Sequence, residues 1–146
     1  MGMFDTFDVS ASGLTAQRYR MDVIAQNVAN ANTTRTEDGT PYRRKIVTFE
    51  EKQLNPAFSE VLNKATQFQG NGVKVAKVSE DYETDLIMEY DPSHPDADEN
   101  GYVSYPNVNT VTEMTNLIDS SRAYEANTTA FDAMKKMVQA GLSIGQ

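Results

Sequence analysis

Apolar residues recur every seven positions near the start of the chain. The repeating positions are Phe7, Leu14, Met21 and Val28, and the companion heptad position holds Phe4, Ala11 and Ala25 but is interrupted by Arg18 and Asn32. This spacing puts apolar side chains on one side of a helix and predicts a helix from about Phe4 to Asn32. We expect it to end at Asn30–Thr34, because Asn tolerates a left-handed cap and Thr competes for backbone hydrogen bonds.

The last quarter of the chain repeats this pattern. The seven-residue positions are Leu117, Tyr124, Phe131 and Val138, with Met114 and Leu142 on the companion position. Thr110 and Glu113 have the spacing of a capping box. The pattern therefore predicts a second long helix within residues 107–146, which frays at Gly141 and Gly145.

The middle of the chain has the composition of short strands. Runs rich in Val, Ile, Tyr and Phe, separated by Gly, Pro, Asn and Asp, occupy residues 42–49, 73–78, 86–90 and 101–105. Residues 55–69 fit either one short helix or a loop. The whole predicts an α+β fold, in which two long terminal helices pack as a coiled-coil-like stem and project a small β-rich module sideways. The predicted boundaries are residues 1–34 for the first stem helix, 35–106 for the module and 107–146 for the second stem helix.

Two helices with narrow apolar stripes bury only one side each when they pair. The second helix also carries apolar residues off its main stripe, which predicts packing against neighbouring chains. The predicted stem and subunit-interface residues are Leu14, Met21, Ile24, Asn27, Val28, Asn30, Met114, Leu117, Ile118, Tyr124, Phe131, Met134, Val138 and Leu142. Of these, Ile24, Ile118, Met134 and Leu142 are expected to reach the neighbours, and the heptad stripes are expected to pack mainly within the chain.

Charge divides the chain in the same places. Residues 1–45 carry a net +1, residues 46–106 a net −8 and residues 107–146 a net −1. Nearly neutral ends suit surfaces that pack against protein, whereas an acidic middle suits water. A total charge of −8 also argues against nucleic-acid binding, which needs cations to neutralise phosphates.

Little in the composition supports catalysis or membrane insertion. The chain has no Cys, which excludes disulfides, thiolate nucleophiles and Cys-based zinc sites. No apolar run is long enough for a transmembrane helix, and the first residues lack the basic and apolar regions of a cleavable signal peptide. We expect no enzyme activity, no cofactor and no direct membrane insertion.

Two segments resemble a known family. Residues 12–34, SGLTAQRYRMDVIAQNVANANTT, resemble the N-terminal segment shared by the bacterial flagellar axial proteins of rod and hook. Residues 90–127, YDPSHPDADENGYVSYPNVNTVTEMTNLIDSSRAYEAN, are similar to a proximal-rod member of that family. The resemblance covers nearly the whole chain outside about residues 50–72. Another axial protein of the same family is the alternative.

The resemblance implies a structural subunit of the flagellar basal-body rod, which assembles helically through its terminal helices and carries torque to the distal rod and hook. It implies contacts with copies of the same chain, with other proximal and distal rod proteins and with the protein that joins the rod to the membrane ring. It also implies passage through the flagellar type III export apparatus to a rod in the periplasm, without a cleavable signal peptide. Asn27 and Asn30, which fall in the motif NVANANT, are expected to make inter-helix or capping hydrogen bonds.

Three features raise other possibilities. Asp96, Asp98, Asn100 and Gly101 match the first half of a calcium-binding EF-hand loop, but its twelfth position is Asn107 where a bidentate Glu is needed. A calcium-binding interaction module is therefore a less favoured alternative to a loop whose side chains hold turns. The single His94 could act in a hydrolase, although no nucleophile motif accompanies it. The basic run 43–45 is too short for a nucleic-acid site and could mark a subunit contact.

Overall fold

The computed structural model describes residues 3–52 and 71–144 of the chain. In chain order its elements are α1 (Met3–Ala29), β1 (Lys45–Glu51), β2 (Val73–Glu80), β3 (Ile87–Tyr90), β4 (Tyr102–Tyr105) and α2 (Thr110–Ile144). The predicted α+β fold, with long terminal helices and a small β module between them, is thereby confirmed. The predictions for residues 55–69 and for Gly145 lie outside the described residues.

The two helices pack against each other in antiparallel orientation. Near the start of α1, the ring of Phe7 meets that of Phe131 edge-to-face, with centroids 5.0 Å apart. At the other end of α1, the Asn27 side-chain amide donates to Glu113 at 3.0 Å. Between these contacts the helices approach closely, because a Cβ on Gly13 would lie 3.0 Å from the Asn127 amide oxygen. Such close packing fixes the register of the pair.

The two inner helix ends differ in detail from the sequence predictions. After Ala29 the chain leaves α1 through a turn, in which the Thr33 amide donates to the Asn30 carbonyl. Among the described residues only glycines have a positive φ, so the expected left-handed Asn cap is wrong. At the start of α2, the N-cap is Asn109, whose side-chain oxygen accepts hydrogen bonds from the backbone amides of Val111 and Thr112 at 3.0 and 3.1 Å. The predicted Thr110–Glu113 capping box is therefore also wrong.

The first sheet, formed by β1 and β2, lies along α1. The strands pair in antiparallel register from Lys45 opposite Glu80 to Glu51 opposite Val73, with a bulge between Thr48 and Phe49. Alternate β1 side chains are half-buried and exposed, as expected for a sheet with one covered face. The sheet contacts α1 but not α2. The expectation that the whole module projects sideways is wrong for this sheet, because α1 offers it a surface to cover.

One contact holds the far end of the first sheet to α1. The Ser12 hydroxyl accepts a hydrogen bond from the Val73 amide at 3.0 Å, and it donates to the Val9 carbonyl at 2.6 Å. Gly72 precedes this point with a φ of +82°, and a Cβ there would clash with Ser12. Glycine is therefore required both for the backbone angle and for the close approach.

The second sheet, formed by β3 and β4, lies apart from the other elements. Its strands pair from Ile87 opposite Tyr105 to Tyr90 opposite Tyr102. Among the described elements, β3 and β4 contact only each other, and every β3 residue is exposed. Val103 of β4 is nevertheless 0% exposed, so the position of the second sheet depends on the segments that flank it and on packing outside the helices and strands.

Candidate functional site

The stem buries a different set of residues from the predicted stripe. The fully buried α1 residues are Ala16, Val23, Ile24 and Asn27. The predicted stripe is half-buried at Leu14, Met21, Val28, Leu117, Tyr124, Phe131 and Val138. Met134, which was expected to reach neighbours, is also half-buried. The centre of the α1 core is displaced toward the first sheet, because α1 packs against α2 and the sheet together whereas the heptad pattern considered only a second helix.

Two predicted roles need correction. Ile24 was expected to reach neighbouring chains, but it is only 5% exposed within its own chain and has little surface left for a neighbour. Met114 was placed on the companion position of the inner stripe, yet it is 53% exposed.

The outer face of α2 begins with a patch of exposed apolar side chains. Val111, Met114 and Ile118 have the i, i+3, i+7 spacing that puts them on one helix face, and Val111 is 73% exposed. We call these three residues the outer patch. Ile118 was predicted to lie off the main stripe, and its exposure leaves it free to contact another molecule.

The C-terminal part of α2 extends beyond α1. In the observed register, residues that face each other have numbers that sum to 138–140, as in Phe7 with Phe131 and Asn27 with Glu113. Met3 therefore lies opposite residues 135–137 (138 − 3 and 140 − 3), and Leu142 lies past the described part of α1. Leu142 lies four residues after the half-buried Val138, which puts it on the same face of α2, but it is 69% exposed because the described part of α1 does not reach it.

At the opposite end of the stem, a buried group of polar residues joins the helices to the β module. This group, which we call the polar junction, consists of Asn27, Tyr42, Arg44, Asp81, Asn107 and Glu113. Asn27 is 1% exposed and satisfies its whole side-chain amide. It donates to the Lys45 carbonyl and to Glu113, and it accepts from the Tyr42 hydroxyl and the Lys45 amide, at 2.9–3.0 Å. The first residue of β1 is thereby fixed to the end of α1.

Glu113 is the charged centre of the polar junction. Its side chain is 1% exposed, and Arg44 donates to one carboxylate oxygen from Nε at 2.9 Å and from Nη2 at 2.8 Å. The other oxygen accepts from Asn27. Because a buried carboxylate is costly without partners, these bonds explain how α2 accommodates an acid on its inner face. Arg44 also lies 3.7 Å from Asp81, which extends the network to the end of β2.

Asn107 links three segments from its position after β4. Its side-chain amide donates to the carbonyls of Asp81 and Thr84 at 3.0 and 3.1 Å, and its oxygen accepts from the Arg44 amide at 2.9 Å. It is 6% exposed. Like Asn27, it acts as a rigid bridge between backbone groups that would otherwise be buried without partners.

Two pKa values in the polar junction are shifted. The pKa of Asp81 is lowered, above all by the hydrogen bond from the Thr84 amide, and also by the Thr84 hydroxyl, the Glu83 amide and the Arg44 charge, while burial opposes the shift. The pKa of Tyr42 is raised by burial and by the negative charges of Glu80 and Glu113. The shifts favour the ionised carboxylate of Asp81 and the neutral hydroxyl of Tyr42, which are the forms that make the observed bonds.

The sequence analysis found only part of the polar junction. Asn27 was expected to make an inter-helix or capping bond, and it makes the former with Glu113. The Asn30 side chain bonds locally at the end of α1, where it donates to the Gln26 carbonyl and accepts from the Thr33 hydroxyl. Arg44 was interpreted as part of a basic subunit contact, whereas its partners lie in the same chain. A polar residue at an inner helical position, four residues before Leu117, was the available signal that Glu113 is buried.

The loop between β3 and β4 uses its acidic side chains to hold turns. Asp98 accepts hydrogen bonds from the Asn100 and Tyr102 amides at 2.8 Å, while Asp96 accepts one from Thr34 at 2.9 Å and lies 3.6 Å from Arg35. His94 accepts from the Asp96 amide through Nδ1. Within residues 3–52 and 71–144, no three His, Cys, Asp or Glu side chains are grouped to hold a metal ion. The turn-holding interpretation of this loop is the one that the geometry supports.

Comparisons with known proteins match both ends of the chain, which contain the two stem helices. The family model described as "Flagella basal body rod protein" matches residues 7–35, and the one described as "Flagellar basal body rod FlgEFG protein C-terminal" matches residues 99–144. The chain is 46% identical to the flagellar basal-body rod protein FlgC of Bacillus subtilis, with all of both chains covered. It is 44% identical to FlgC of Borreliella burgdorferi, with 100% of this chain and 99% of the relative covered. The chain belongs to the FlgC family of basal-body rod proteins.

Full-length agreement with FlgC also settles which axial protein the chain resembles. FlgC of Escherichia coli O6:H1 is 40% identical over the entire length of both chains. The chain is therefore a structural subunit of the flagellar basal-body rod, and its relatives are structural proteins rather than enzymes. No described helix has the length and hydrophobicity required to cross a membrane.

Proposed function

We propose that this FlgC-family chain assembles helically in the rod through its stem and transmits motor torque to the distal rod and hook. The single observation that carries the proposal is the outer patch of Val111, Met114 and Ile118, which α1 leaves uncovered. Exposed apolar side chains that lie together on one face favour contact with another protein. Neighbouring subunits would cover this patch and so connect one stem to the next.

The uncovered end of α2 supports the same proposal. Met137 and Leu142 are 66% and 69% exposed near the C-terminal end of α2, and Leu142 lies past the described part of α1. Two separated apolar surfaces on one helix allow contacts with two different neighbours. A subunit that is held at both ends of its longest helix resists rotation relative to its neighbours, which is what torque transmission requires.

The proposed partners are copies of the same chain, other proximal and distal rod proteins, and the protein that joins the rod to the membrane ring. The proposed location is the periplasmic part of the basal body. The chain would reach it unfolded through the flagellar type III export apparatus without a cleavable signal peptide.

Site-specific photocrosslinking in cells tests the assembly. A photoreactive amino acid replaces Ile118 in the outer patch, and a matched control replaces Ser93, which is exposed in the β3–β4 loop. After irradiation of cells with complete basal bodies, we expect Ile118 to crosslink to a rod subunit that mass spectrometry can identify. Crosslinking of Ile118 only within its own chain, in cells that swim, would contradict the proposal.

A further inference from the structure

We propose that the polar junction is an orientation lock, which holds the second sheet at a fixed angle to the stem. This inference rests on the proposed function, because a fixed angle matters only if stem and module contact different neighbours. The central positioning residues are Arg44, Asn107 and Glu113.

Neither strand of the second sheet contacts another described helix or strand, and its one buried residue, Val103, supplies apolar packing that does not by itself fix an angle. The sheet is attached through the segments on either side of it. Before β3, the carbonyls of Asp81 and Thr84 are held by Asn107, and after β4 the chain enters α2 through Asn107 itself. A further tie lies on the surface, where Asp96 meets Thr34 and the 70% exposed Arg35 side chain.

The hydrogen bonds in the polar junction are directional, and they link its residues into one connected network. Asn107 uses both amide hydrogens and its oxygen on three different residues. The planar guanidinium of Arg44 approaches Glu113 with two nitrogens, and its backbone amide is held by Asn107. Hydrogen bonds lose strength steeply when their angle changes, whereas apolar contacts tolerate sliding. The network therefore restricts rotation of the segments that carry the sheet.

Stability alone does not account for this arrangement. Burying an ion pair such as Arg44–Glu113 contributes little net stability compared with apolar residues of similar volume. What the polar residues add is one defined geometry. The sheet held in this way presents Ile87, Met88 and Tyr90, each more than half exposed, at a set angle to α2.

Distances between two spin labels test the lock directly in the purified full-length chain. The sequence contains no Cys, so labels can be placed at Asp119→Cys on α2 and Glu99→Cys beyond β3 without other changes. Both positions are exposed. Double electron–electron resonance then gives the width of the distance distribution. We expect a narrow distribution in the parent, and about a twofold broader one in Glu113→Gln and Asn107→Ala, because bonds in a network depend on one another.

A matched control separates orientation from stability. Phe131→Ala removes the aromatic pair with Phe7, far from the polar junction, and should lower the melting temperature without broadening the distribution. Arg44→Lys keeps the charge but removes the planar fork, and should broaden the distribution less than Glu113→Gln while leaving the fold intact. Equal widths in the parent, Arg44→Lys and Glu113→Gln would overturn the lock. A distance distribution that is already broad in the parent would also overturn the lock. The same holds if Phe131→Ala broadens the distribution as much as Glu113→Gln does.

These measurements on the isolated chain are independent of rod assembly. If the lock holds but the crosslinks at Ile118 fail, the proposed assembly surface is wrong and the lock is not. If the crosslinks form and the distribution is unaffected by Glu113→Gln, the lock alone is wrong.

Discussion

The two stem helices have almost the same heptad pattern in sequence but very different environments in the structure. Helix α1 is covered by α2 on one side and by the first sheet on another, and its buried residues are mostly apolar. Helix α2 is longer, and among the described elements it contacts only α1. Its two buried residues, Glu113 and Ser120, are both polar.

This difference separates the surfaces that are buried within the chain from those that the proposed assembly would use. Helix α1 has its neighbours within the chain, which explains why Ile24 is buried while similar residues on α2 are not. Helix α2 keeps the outer patch and the surface around Leu142 exposed. A helix with apolar residues on two sides and a single partner is suited to an assembly that supplies the others.

The largest expected effect comes from breaking the contact that the two helices share. Phe131→Asp places a carboxylate against the ring of Phe7 and should destabilise the stem by about 4 kcal/mol, since both packing and solvation are lost. Cells with this variant, or with a charge at Met21, should form no complete rod and should not swim. Swimming in soft agar and the yield of purified hook–basal bodies measure the effect.

The controls for this prediction are exposed positions. Thr129→Asp, two residues away on the exposed side of α2, and Glu99→Ala in the β3–β4 loop should both leave swimming unchanged. Normal motility with Phe131→Asp would contradict the stem as described.

A smaller loss should follow from a change at the end of α1. Asn27→Leu leaves the Tyr42 hydroxyl and the backbone of Lys45 without their partner, and should lower the free energy of unfolding by about 3 kcal/mol. Urea unfolding measures it. Asn30→Ala removes only the local bonds to the Gln26 carbonyl and the Thr33 hydroxyl and should cost about 1 kcal/mol. If Asn27→Leu and Asn30→Ala lowered the free energy of unfolding equally, the polar junction would not stabilise the end of α1.

The polar junction should also make the free energy of unfolding depend on pH. The pKa of Asp81 is lower in the folded chain than the ordinary value of about 3.9, so its contribution is complete above that pH and is lost as the pH falls through the folded value. The difference in unfolding free energy between the parent and Asp81→Asn should therefore be largest at neutral pH and should shrink below about pH 4. A difference that stays constant from pH 7 to about pH 3 would contradict this assignment.

Substitutions in the outer patch of α2 should have the smallest effect on the free energy of unfolding, but they should still affect assembly. Ile118→Asp should change the free energy of unfolding by no more than about 0.5 kcal/mol, because the side chain is already 53% exposed. The same variant should reduce rod formation, because a neighbour would have to bury the charge. Asp119→Asn is the adjacent control. Unimpaired rod formation with Ile118→Asp would remove the functional contrast between the two helices.

The helices and strands could be predicted from the sequence because their residue patterns are local. The heptad spacing of Phe7, Leu14 and Met21 predicted α1, and the four Val-, Ile- and Tyr-rich runs correspond to the four described strands. The resemblance of residues 12–34 and 90–127 indicated the correct family. The heptad also placed Phe7 and Phe131 on the surfaces that meet.

Which side chains are buried, and which residues they contact, was harder to predict, because both depend on segments that are distant in sequence. Glu113 looked like a capping residue, since Thr110 stands three positions before it, but Asn109 caps α2 and Glu113 turns inward to Arg44. Ile24 looked like a contact for neighbours, since nothing in its own helix shows that the first sheet lies alongside. Arg44 looked like a surface cation because the residues next to it are basic.

By itself, the sequence determined which segments are helices and strands, where the charge lies and to which family the chain belongs. These properties follow from side-chain periodicity and composition, which act within a few residues. Only the tertiary structure decided that α1 is covered on two sides, that α2 keeps the outer patch exposed and that six polar residues close into one junction. Such outcomes depend on hydrogen bonds and packing between residues up to 86 positions apart, for which no local pattern exists.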